Sequence, residues 1–437
     1  MGTMARRRVT YKVYPNKQQE ELLENTRRMH CDLYNAALEE RITAYRRRGI
    51  SVKKADQEKS LTQIRQQDPL GYGAINAQAL QGTLKRLDEA FQHFFRRVKE
   101  GREAPGFPRF KAGRRFKGWT YKAHGDGWRV FPGADWKHGR LRLSGIGTMQ
   151  IRGKARTQGA PKTCTITKKI DGWYASVVIE CQPRRDHDQD AHDAMTMDWG
   201  QETYATLVWG IEDDEYEELA NERFWQSEKD KIIEKNRELS QAILDEYNAL
   251  PKEEKKQWKK PSKRHRRKRR ELARAHRRLS NRRKDRSHKT SAYIAKRCKR
   301  FGTEKLTVQN MTRSAKGSVE NPGKNVRQKA GNNREALDTA PADLLKMIRY
   351  KVEETGADYI EIPTRQVKPS QRCPVAWTCE KKELGDRKHR LPDGRVIGRD
   401  HASGATQLRW MLAKSGQSIP WVGCRPLDSP GNSHPEP

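Results

Sequence analysis

The stretch that decides the fold is AMTMDWGQETYATLVWG, residues 194–210. An apolar run ends at Asp198, and a glycine turn then leads into a second β-rich run. This pattern predicts a half-buried strand, a turn and a second strand. A carboxylate at the end of a half-buried strand is costly unless it has partners, so we expect other functional residues near Asp198.

Charge narrows the possible partners of the chain. Of its 437 residues, 91 are Lys or Arg and 56 are Asp or Glu, which gives a formal net charge of +35. So large a basic excess is typical of proteins that bind a polyanion, and nucleic acid is the leading partner. No apolar run approaches the roughly 18 residues of a membrane-spanning helix, and seven scattered cysteines do not suggest a secreted disulfide framework. We therefore expect a soluble cytoplasmic protein, associated with the nucleoid, that has two to four domains and no membrane partner.

The N-terminal quarter is predicted to form one strand followed by helices. RRRVTYKVYP predicts the strand, and Asn16 is a candidate N-cap for the first helix. A later helical segment carries apolar side chains three and four residues apart, which predicts a stripe that faces the core. The apolar residues at helical spacing are Leu22, Met29 and Leu33 in the first helix, and Leu80, Leu84, Leu87, Phe91, Phe94, Phe95 and Val98 in the later one.

The segment after these helices mixes basic and aromatic residues. Prolines and glycines interrupt REAPGFPRFKAGRRFKGWTYK, and short β-rich runs follow to about residue 182, so a small barrel is expected. Basic side chains track phosphates and aromatic faces stack on bases, which makes the segment a candidate contact for RNA or DNA. Ordinary packing in a barrel wall explains the aromatic residues nearly as well. The candidate contacts are Arg114, Arg115, Lys117, Trp119 and Tyr121.

Residues 222–300 are predicted to be helical and are intensely basic. Such a charge density repels itself unless phosphates neutralise it, and each phosphate contact would make binding depend on salt. A solvated helix face is the alternative. The candidate nucleic-acid contacts in this region are Arg282, Arg283 and Lys284.

Two further acidic residues stand out by their context. Glu304 lies beside a second β-like run in FGTEKLTVQN, and Asp400 in RDHASGATQL stands where a turn becomes a helix. Hydrolysis of a phosphodiester with two Mg²⁺ ions needs hard oxygen ligands on both metals, which separated carboxylates supply. Each carboxylate taken alone would be interpreted as a surface or capping residue.

An ordered set of motifs resembles one family across nearly the whole chain. The motifs are YKVYPNKQQEELLENTRRMHCDLYNAAL, AQALQGTLKRLDEAFQHFFRR, GFPRFK, MDWG, LARAHRRLSNRRKDRSHKTS, EKLTVQNMTRSAKGSVENPGKNVRQKAG, PSQRCP and RDHASGATQL. Together they resemble the transposon-encoded TnpB proteins and their descendants, the compact type V CRISPR effector nucleases. Members of that family use a guide RNA to find DNA and cut it with a RuvC domain of RNase H fold.

The resemblance implies that Asp198, Glu304 and Asp400 are the three catalytic acidic residues and the ligands of two Mg²⁺ ions. Asp198 would bridge both metals, while Glu304 and Asp400 would complete their coordination. One departure concerns Glu304, because the family usually has an apolar strand before this residue, whereas KRCKRFGT is basic and contains a glycine. The strand there could be short or distorted.

A second departure concerns the zinc ribbon that the family commonly carries between the second and third acidic motifs. Here the first cysteine pair reads CPVAWTC, with five residues between Cys373 and Cys379, and no second pair follows. Tetrahedral zinc needs four ligands, and His389 or an oxygen of Asp386 or Asp393 would have to complete the set. We expect a degenerate loop that keeps the place of the ribbon without its zinc.

The expected fold class is α+β and multidomain. An N-terminal β-barrel, the wedge, would hold an inserted helical recognition domain, and a RuvC domain with a helical insertion would follow. The predicted boundaries are 4–15 for the first wedge strand, 16–103 for the recognition domain, 104–185 for the wedge barrel, 193–365 for the RuvC domain with its insertion at 222–300, 366–398 for the degenerate zinc-ribbon loop, 399–415 for the last RuvC helix and 416–437 for a disordered tail.

These observations favour an RNA-guided DNA endonuclease, with guide RNA and double-stranded DNA as partners and Mg²⁺ as cofactor. Three alternatives stay open: a guided repressor-like protein that binds DNA without cutting it, a transposon-encoded TnpB nuclease, and an unguided nucleic-acid-binding protein. The chain could act as a monomer or as a homodimer on one RNA.

Overall fold

The computed structural model describes residues 4–101, 104–155, 157–183, 187–255, 261–318, 320–383 and 385–416. The chain divides into two units, Met1–Pro183 and Arg184–Pro437. The tail predicted at 416–437 lies outside the described residues, apart from Gly416. In the described part of the chain, no helix combines the length and the apolar character that a membrane crossing needs.

Seven strands of the first unit form one antiparallel sheet. They are β1 (Ala5–Tyr14), β2 (Gly118–Tyr121), β3 (Trp128–Pro132), β4 (Lys137–Leu143), β5 (Gly147–Lys154), β6 (Ala160–Lys169) and β7 (Gly172–Cys181), in the order β2-β6-β7-β1-β5-β4-β3. The sheet is open and not the closed barrel expected, because its edge strands β2 and β3 do not pair within the described residues. At the β2 edge, the carbonyl oxygen of Gly118 instead accepts a hydrogen bond of 2.8 Å from Arg86 Nη1.

Alternating side chains build the core of this sheet, and along β7 every second residue is buried. Trp119 and Trp173 pack edge to face in the core, with ring centroids 6.1 Å apart. Trp119 is 0% exposed and Tyr121 is 2% exposed. Their predicted contact with nucleic acid is therefore wrong, because a ring enclosed in the core cannot stack on a base. The basic candidates of the same segment, Arg114, Arg115 and Lys117, are exposed.

Three helices of the first unit follow β1: α1 (Lys17–Arg48), α2 (Lys54–Gln67) and α3 (Ala77–Lys99). The predicted N-cap of α1 is confirmed, because the Asn16 side chain accepts a hydrogen bond of 2.8 Å from the backbone N–H of Gln19. The predicted core stripe holds only in part, because the buried side chains of α3 all lie within residues 79–87. Leu33, Leu80, Leu84 and Leu87 are buried, whereas Leu22, Phe95 and Val98 lie at the surface.

The second unit is built around a five-stranded mixed sheet. Its strands are β8 (Met195–Trp199), β9 (Thr203–Val208), β10 (Tyr216–Ala220), β11 (Arg300–Glu304) and β12 (Asp358–Ile362), in the order β10-β9-β8-β11-β12. β9 runs antiparallel to β8 and β10, while β8, β11 and β12 are parallel to one another. The strand before Glu304 is thus short but regular, and its three central residues are buried.

Helices pack on both faces of this sheet, and the described part of the second unit has eight helices in all. They are α4 (Phe224–Asn248), α5 (Lys252–Lys255), α6 (Lys263–Arg297), α7 (Val308–Met311), α8 (Val326–Asp338), α9 (Pro341–Thr355), α10 (Thr364–Val367) and α11 (Arg399–Lys414), and the hairpin of β13 (Lys388–Arg390) and β14 (Val396–Gly398) precedes α11. One face packs on α6 and α9, where Met197 and Phe301 share a core with Ile294 and Ile348. The opposite face packs on α11, whose Met411 is buried.

Candidate functional site

Two acidic residues lie side by side at the carboxyl ends of neighbouring parallel strands. β8 and β11 pair in register, with Thr303 opposite Met197. Asp198 and Glu304 are the next residues on the two strands, so their side chains leave the sheet on the same face. The carboxyl ends of parallel strands are where open sheets of this kind bind their ligands.

That face is covered by α11, which carries the third acidic residue, Asp400, in its first turn. Thr196 Oγ1 of β8 donates a hydrogen bond of 2.8 Å to the carbonyl oxygen of Gly404. A Cβ atom on Gly302 of β11 would lie only 2.8 Å from Met411 Sδ. The even-numbered residues of both strands therefore face α11. Gly302, which interrupts the apolar pattern of β11, leaves the space that allows the helix to approach.

The three carboxylates interact electrostatically. Burial raises the pKa of Asp198 well above its usual range, and the negative charges of Glu304 and Asp400 raise this pKa further. The Ser403 hydroxyl donates a hydrogen bond to Asp198, and this bond and the positive charge of Arg399 oppose the rise in pKa. Burial also raises the pKa of Glu304. The structure thus brings the three acidic candidates to one site, while their catalytic roles stay predictions.

Ser403 and Arg399 are site residues that the sequence prediction missed. Ser403 follows Asp400 by three residues, so the two side chains lie on the same face of α11. This spacing is visible in the sequence and is the signal that could have identified the serine. Arg399 Nε lies 3.4 Å from Asp400 Oδ1, and its guanidinium therefore engages one of the three carboxylates.

The donor set suits a hard divalent cation. Carboxylate oxygens are the ligands that Mg²⁺ prefers, and a cation would relieve the repulsion that raises the pKa of Asp198. Among the described residues, no group of three or more His, Cys, Asp or Glu side chains lies close enough to hold a metal ion. Asp198, Glu304 and Asp400 thus do not form a three-ligand group in this structure.

The candidate zinc ligands also do not form a three-ligand group within the residues that the structure describes. Cys373 is buried and Cys379 is exposed. His389 is buried, and its Nδ1 contacts Lys382 Nζ. The positive charge of Lys382 adds to the effect of burial, which lowers the pKa of His389.

Guanidinium groups hold the loop between the two cysteines. Arg409 of α11 is 0% exposed, and its Nη1 donates a hydrogen bond of 2.7 Å to the carbonyl oxygen of Pro374. Arg372 Nη1 donates a hydrogen bond of 2.8 Å to the carbonyl oxygen of Trp377. Both guanidinium groups lie 4.8 Å from the centroid of the Trp377 ring. Hydrogen bonds and cation–π contacts thus fix this loop, which the sequence predicts to be a degenerate zinc ribbon.

The three basic candidates of α6 lie in different environments. Arg283 Nε donates a hydrogen bond of 2.7 Å to the buried Asp338, so its charge is committed to an internal ion pair, contrary to the predicted nucleic-acid contact. Arg282 packs over the Phe224 ring at 4.6 Å, yet its side chain is 43% exposed. Lys284 is exposed. A groove of about 540 Å³ beside these residues is lined by Arg274, Arg277, Arg278, Asn281, Arg282 and Asp285.

Two family profiles match the chain. Residues 176–315 match the OrfB_IS605 family, described as "Probable transposase", and residues 1–49 match the "Helix-turn-helix domain" of the same family. The chain is TnpB-like. The match over residues 176–315 includes Asp198 and Glu304 of this TnpB-like chain. Within residues 1–49, the described residues form one strand and a single helix that runs to Arg48.

Two curated relatives of the TnpB-like chain are both named as RNA-guided DNA endonucleases. InsQ of Escherichia coli strain K12 is 28% identical over 335 residues, which cover 76% of this chain and 73% of the relative. A Streptomyces pristinaespiralis protein is 24% identical over 421 residues, which cover 95% of this chain and 92% of the relative. Among solved structures, the mini-RNA-guided endonuclease CRISPR-Cas_phi3 covers 93% of this chain and 92% of its own, at 10% identity and a TM-score of 0.42.

Proposed function

We propose that this TnpB-like chain is an RNA-guided DNA endonuclease with a RuvC-type nuclease centre. Both curated relatives are named for RNA-guided cleavage of DNA. The mixed sheet, in which β9 runs antiparallel to the central β8 while β11 and β12 run parallel to it, has the strand order expected of a RuvC domain of RNase H fold. The net charge of +35 suits guide RNA and target DNA as partners.

One observation carries the proposed chemistry. The carboxylates of Asp198, Glu304 and Asp400 come from three separate elements and lie near enough to one another that the charges of two of them raise the pKa of the third. Like charges in a poorly solvated site are costly, and a site built for stability alone would pair each of them with a basic side chain. Converging carboxylates are expected where divalent ions bind and a phosphodiester is hydrolysed.

The roles of the site residues follow from this arrangement. Asp198, Glu304 and Asp400 would hold two Mg²⁺ ions, which when bound supply charge stabilisation for the attacking and leaving oxygens of phosphodiester hydrolysis. The Ser403 hydroxyl would orient the Asp198 carboxylate and favour its ionised form. Movement of Arg399 away from Asp400 would free that carboxylate for metal binding.

Recognition of the target would be divided between RNA and protein. Base pairing with the guide would supply sequence specificity, while the protein would read a short flanking duplex motif and the shape of the heteroduplex. The groove on α6 presents several guanidinium groups in a row, an arrangement suited to a phosphate backbone.

A guided DNA-binding protein that does not cut is the second candidate. Arg399 Nε lies 3.4 Å from an Asp400 carboxylate oxygen, so one candidate metal ligand is already engaged. The three carboxylates also do not form a three-ligand group among the described residues. Both observations suit a protein that holds DNA without cutting it.

The test is plasmid cleavage by the protein purified with RNA expressed from its own locus. Each plasmid would carry a matching target beside a randomised flank. The wild type would be compared with Asp198→Asn and with Asp343→Asn, the same substitution at an exposed residue of α9. We expect Mg²⁺-dependent cleavage only where guide and flank match, loss of cleavage with retained binding for Asp198→Asn, and wild-type cleavage for Asp343→Asn. Binding without cleavage by the wild type would support the second candidate, and the absence of a defined bound RNA would overturn both.

A further inference from the structure

Four phenylalanine rings form an exposed cluster at the end of α3 and in the loop that follows it. The rings of Phe94 and Phe107 pack edge to face with centroids 5.2 Å apart, and those of Phe91 and Phe107 do so at 5.5 Å. The Phe95 ring lies 5.2 Å from that of Phe94. Phe95 is 61% exposed and Phe107 is 46% exposed, so the cluster has apolar faces open to solvent. We call Phe91, Phe94, Phe95 and Phe107 the phenylalanine cluster.

Hydrogen bonds and an ion pair hold the phenylalanine cluster in place. Arg97 of α3 donates hydrogen bonds to the carbonyl oxygen of Pro105 and, at 2.9 Å, to that of Gly106, which fixes the loop residue Phe107 against the helix. The guanidinium of Arg41 lies 5.2 Å from the centroid of the Phe91 ring and forms an ion pair of 3.2 Å with Asp88. Rings fixed in this way lose little conformational entropy when a flat ligand stacks on them.

The charge around the phenylalanine cluster indicates the kind of ligand. The segment from Phe94 to Lys117 contains nine Lys or Arg residues and two Glu residues. Arg96 and Arg109, close to the cluster in sequence, are exposed. A second copy of this chain would bring a like-charged surface against this segment, which disfavours self-association through the cluster. Exposed aromatic faces with a basic surround are the elements that bind unpaired nucleotides, because the rings stack on bases and the cations contact phosphates.

We propose that the phenylalanine cluster is a stacking site for unpaired nucleobases on a phosphodiester backbone, with Phe95 and Phe107 as the exposed platforms. The site rests on the proposed function only in so far as the chain binds nucleic acid, and it does not depend on the carboxylates or on cleavage. Unpaired bases could come from the guide RNA or from a displaced DNA strand. The stacking chemistry is common to both sources.

The test uses the full-length protein, freed of co-purified RNA, and short oligonucleotides that contain one 2-aminopurine, whose fluorescence changes when the base stacks. Single-stranded RNA, single-stranded DNA and duplex RNA of equal length would be titrated with the wild type and with the Phe95→Ala, Phe107→Ala double variant. The matched control is Phe131→Ala, because Phe131 is an exposed phenylalanine of β3 in the same unit, 44% exposed. Phe107 also packs on Phe91 and Phe94, so the thermal unfolding of each variant is measured and binding is compared at a temperature at which all variants are folded.

The double variant is expected to bind single strands about 5- to 150-fold more weakly, the range for one stacked base. It should bind duplex RNA like the wild type, and its defect should persist at high salt concentration because stacking is not screened. The better of the two single-stranded probes then identifies the source of the bases. Unchanged binding of single strands, an equal loss for duplex RNA, or a wild-type dimer that the double variant dissociates would each overturn the stacking site. If these variants bind normally while the wild type still cleaves guided targets, only the stacking site fails. If no probe binds to the wild type at all, the proposed function fails with it.

Discussion

Replacing Gly404 with alanine is expected to lift α11 from the sheet and to destabilise the second unit. A Cβ atom at residue 404 would lie 2.3 Å from Val208 Cγ2 and 2.9 Å from Val208 Cβ. Val208 is fully buried in β9, so it cannot rotate into free space. The hydrogen bond of 2.8 Å from Thr196 Oγ1 to the Gly404 carbonyl oxygen holds the helix at this distance.

The size of the effect follows from two opposing contributions. Overpacking a close-packed core costs about 1–3 kcal/mol, and this overlap with a rigid β-branched side chain falls toward the upper end. Alanine in place of glycine within a helix returns about 0.5–1 kcal/mol. We therefore expect a net loss of about 2 kcal/mol in the free energy of unfolding, which lowers Tm by about 4–8 °C for a unit of this size.

The assay is differential scanning calorimetry of the full-length protein. Gly331→Ala is the matched control, because a Cβ atom at this position of α8 meets nothing within 4 Å, and it should raise Tm slightly. A Val208→Ala, Gly404→Ala double variant should recover at least about 1 kcal/mol relative to the sum of the single variants, because the smaller side chain makes room for the new methyl group. Equal Tm values for Gly404→Ala and the wild type, or additive effects in the double variant, would refute the close approach of α11.

Three further predictions test the candidate site. In EDTA at pH 8, Asp198→Asn should unfold at a higher temperature than the wild type. The reason is that folding raises the pKa of Asp198, so the ionised carboxylate costs stability in the folded state. The difference in Tm should disappear below the usual pKa of aspartate, about 4, where the carboxyl is protonated in both states. Ser403→Ala should move the acidic limb of the pH–cleavage profile to higher pH, because it removes the hydrogen bond that favours ionised Asp198; an unchanged limb would show that the serine does not act on Asp198. Arg409→Leu should destabilise the second unit by about 1–3 kcal/mol, because the Pro374 carbonyl loses its hydrogen-bond donor. Added Zn²⁺ should not restore the Tm measured by calorimetry, because the loop is held by these hydrogen bonds and not by a metal ion.

Some of this site is predictable from local sequence alone. Asp198 ends a run of apolar residues before a glycine, and Asp400 stands before the apolar positions of a helix, so both carry a local signal. Glu304 carries a weaker signal than these two, because basic residues flank the buried centre of β11 and a glycine interrupts its apolar pattern. The reason for Gly302 lies in α11, more than a hundred residues later in the chain, where Met411 fills the space that a side chain would occupy.

Other predictions failed because the spacing of apolar residues shows which face of a helix or strand is apolar, but not how much of that face is buried. The predicted apolar stripe of α3 continues to Val98, although no side chain of this helix beyond Leu87 is buried. The aromatic residues of β2 are likewise the same types that a nucleic-acid surface uses, and only the pairing of β2 with β6 shows that Trp119 faces the core. Contacts between residues far apart in the sequence decide both the burial along α3 and the orientation of Trp119, and no local window of sequence contains them.

The position of α11 couples the stability of the second unit to its chemistry. Glycines at 302 and 404 bring the helix close enough for Ser403 and Asp400 to act on Asp198. The same approach brings like charges together, so the packing of α11 on the sheet must offset an electrostatic cost whenever no cation is bound. Removing a carboxylate should therefore raise stability in EDTA while abolishing cleavage. Replacing either glycine with a larger residue should lower both stability and cleavage. Stability and cleavage thus change in opposite directions in the carboxylate variants and in the same direction in the glycine variants, which distinguishes a metal-binding carboxylate site from an ordinary polar cluster.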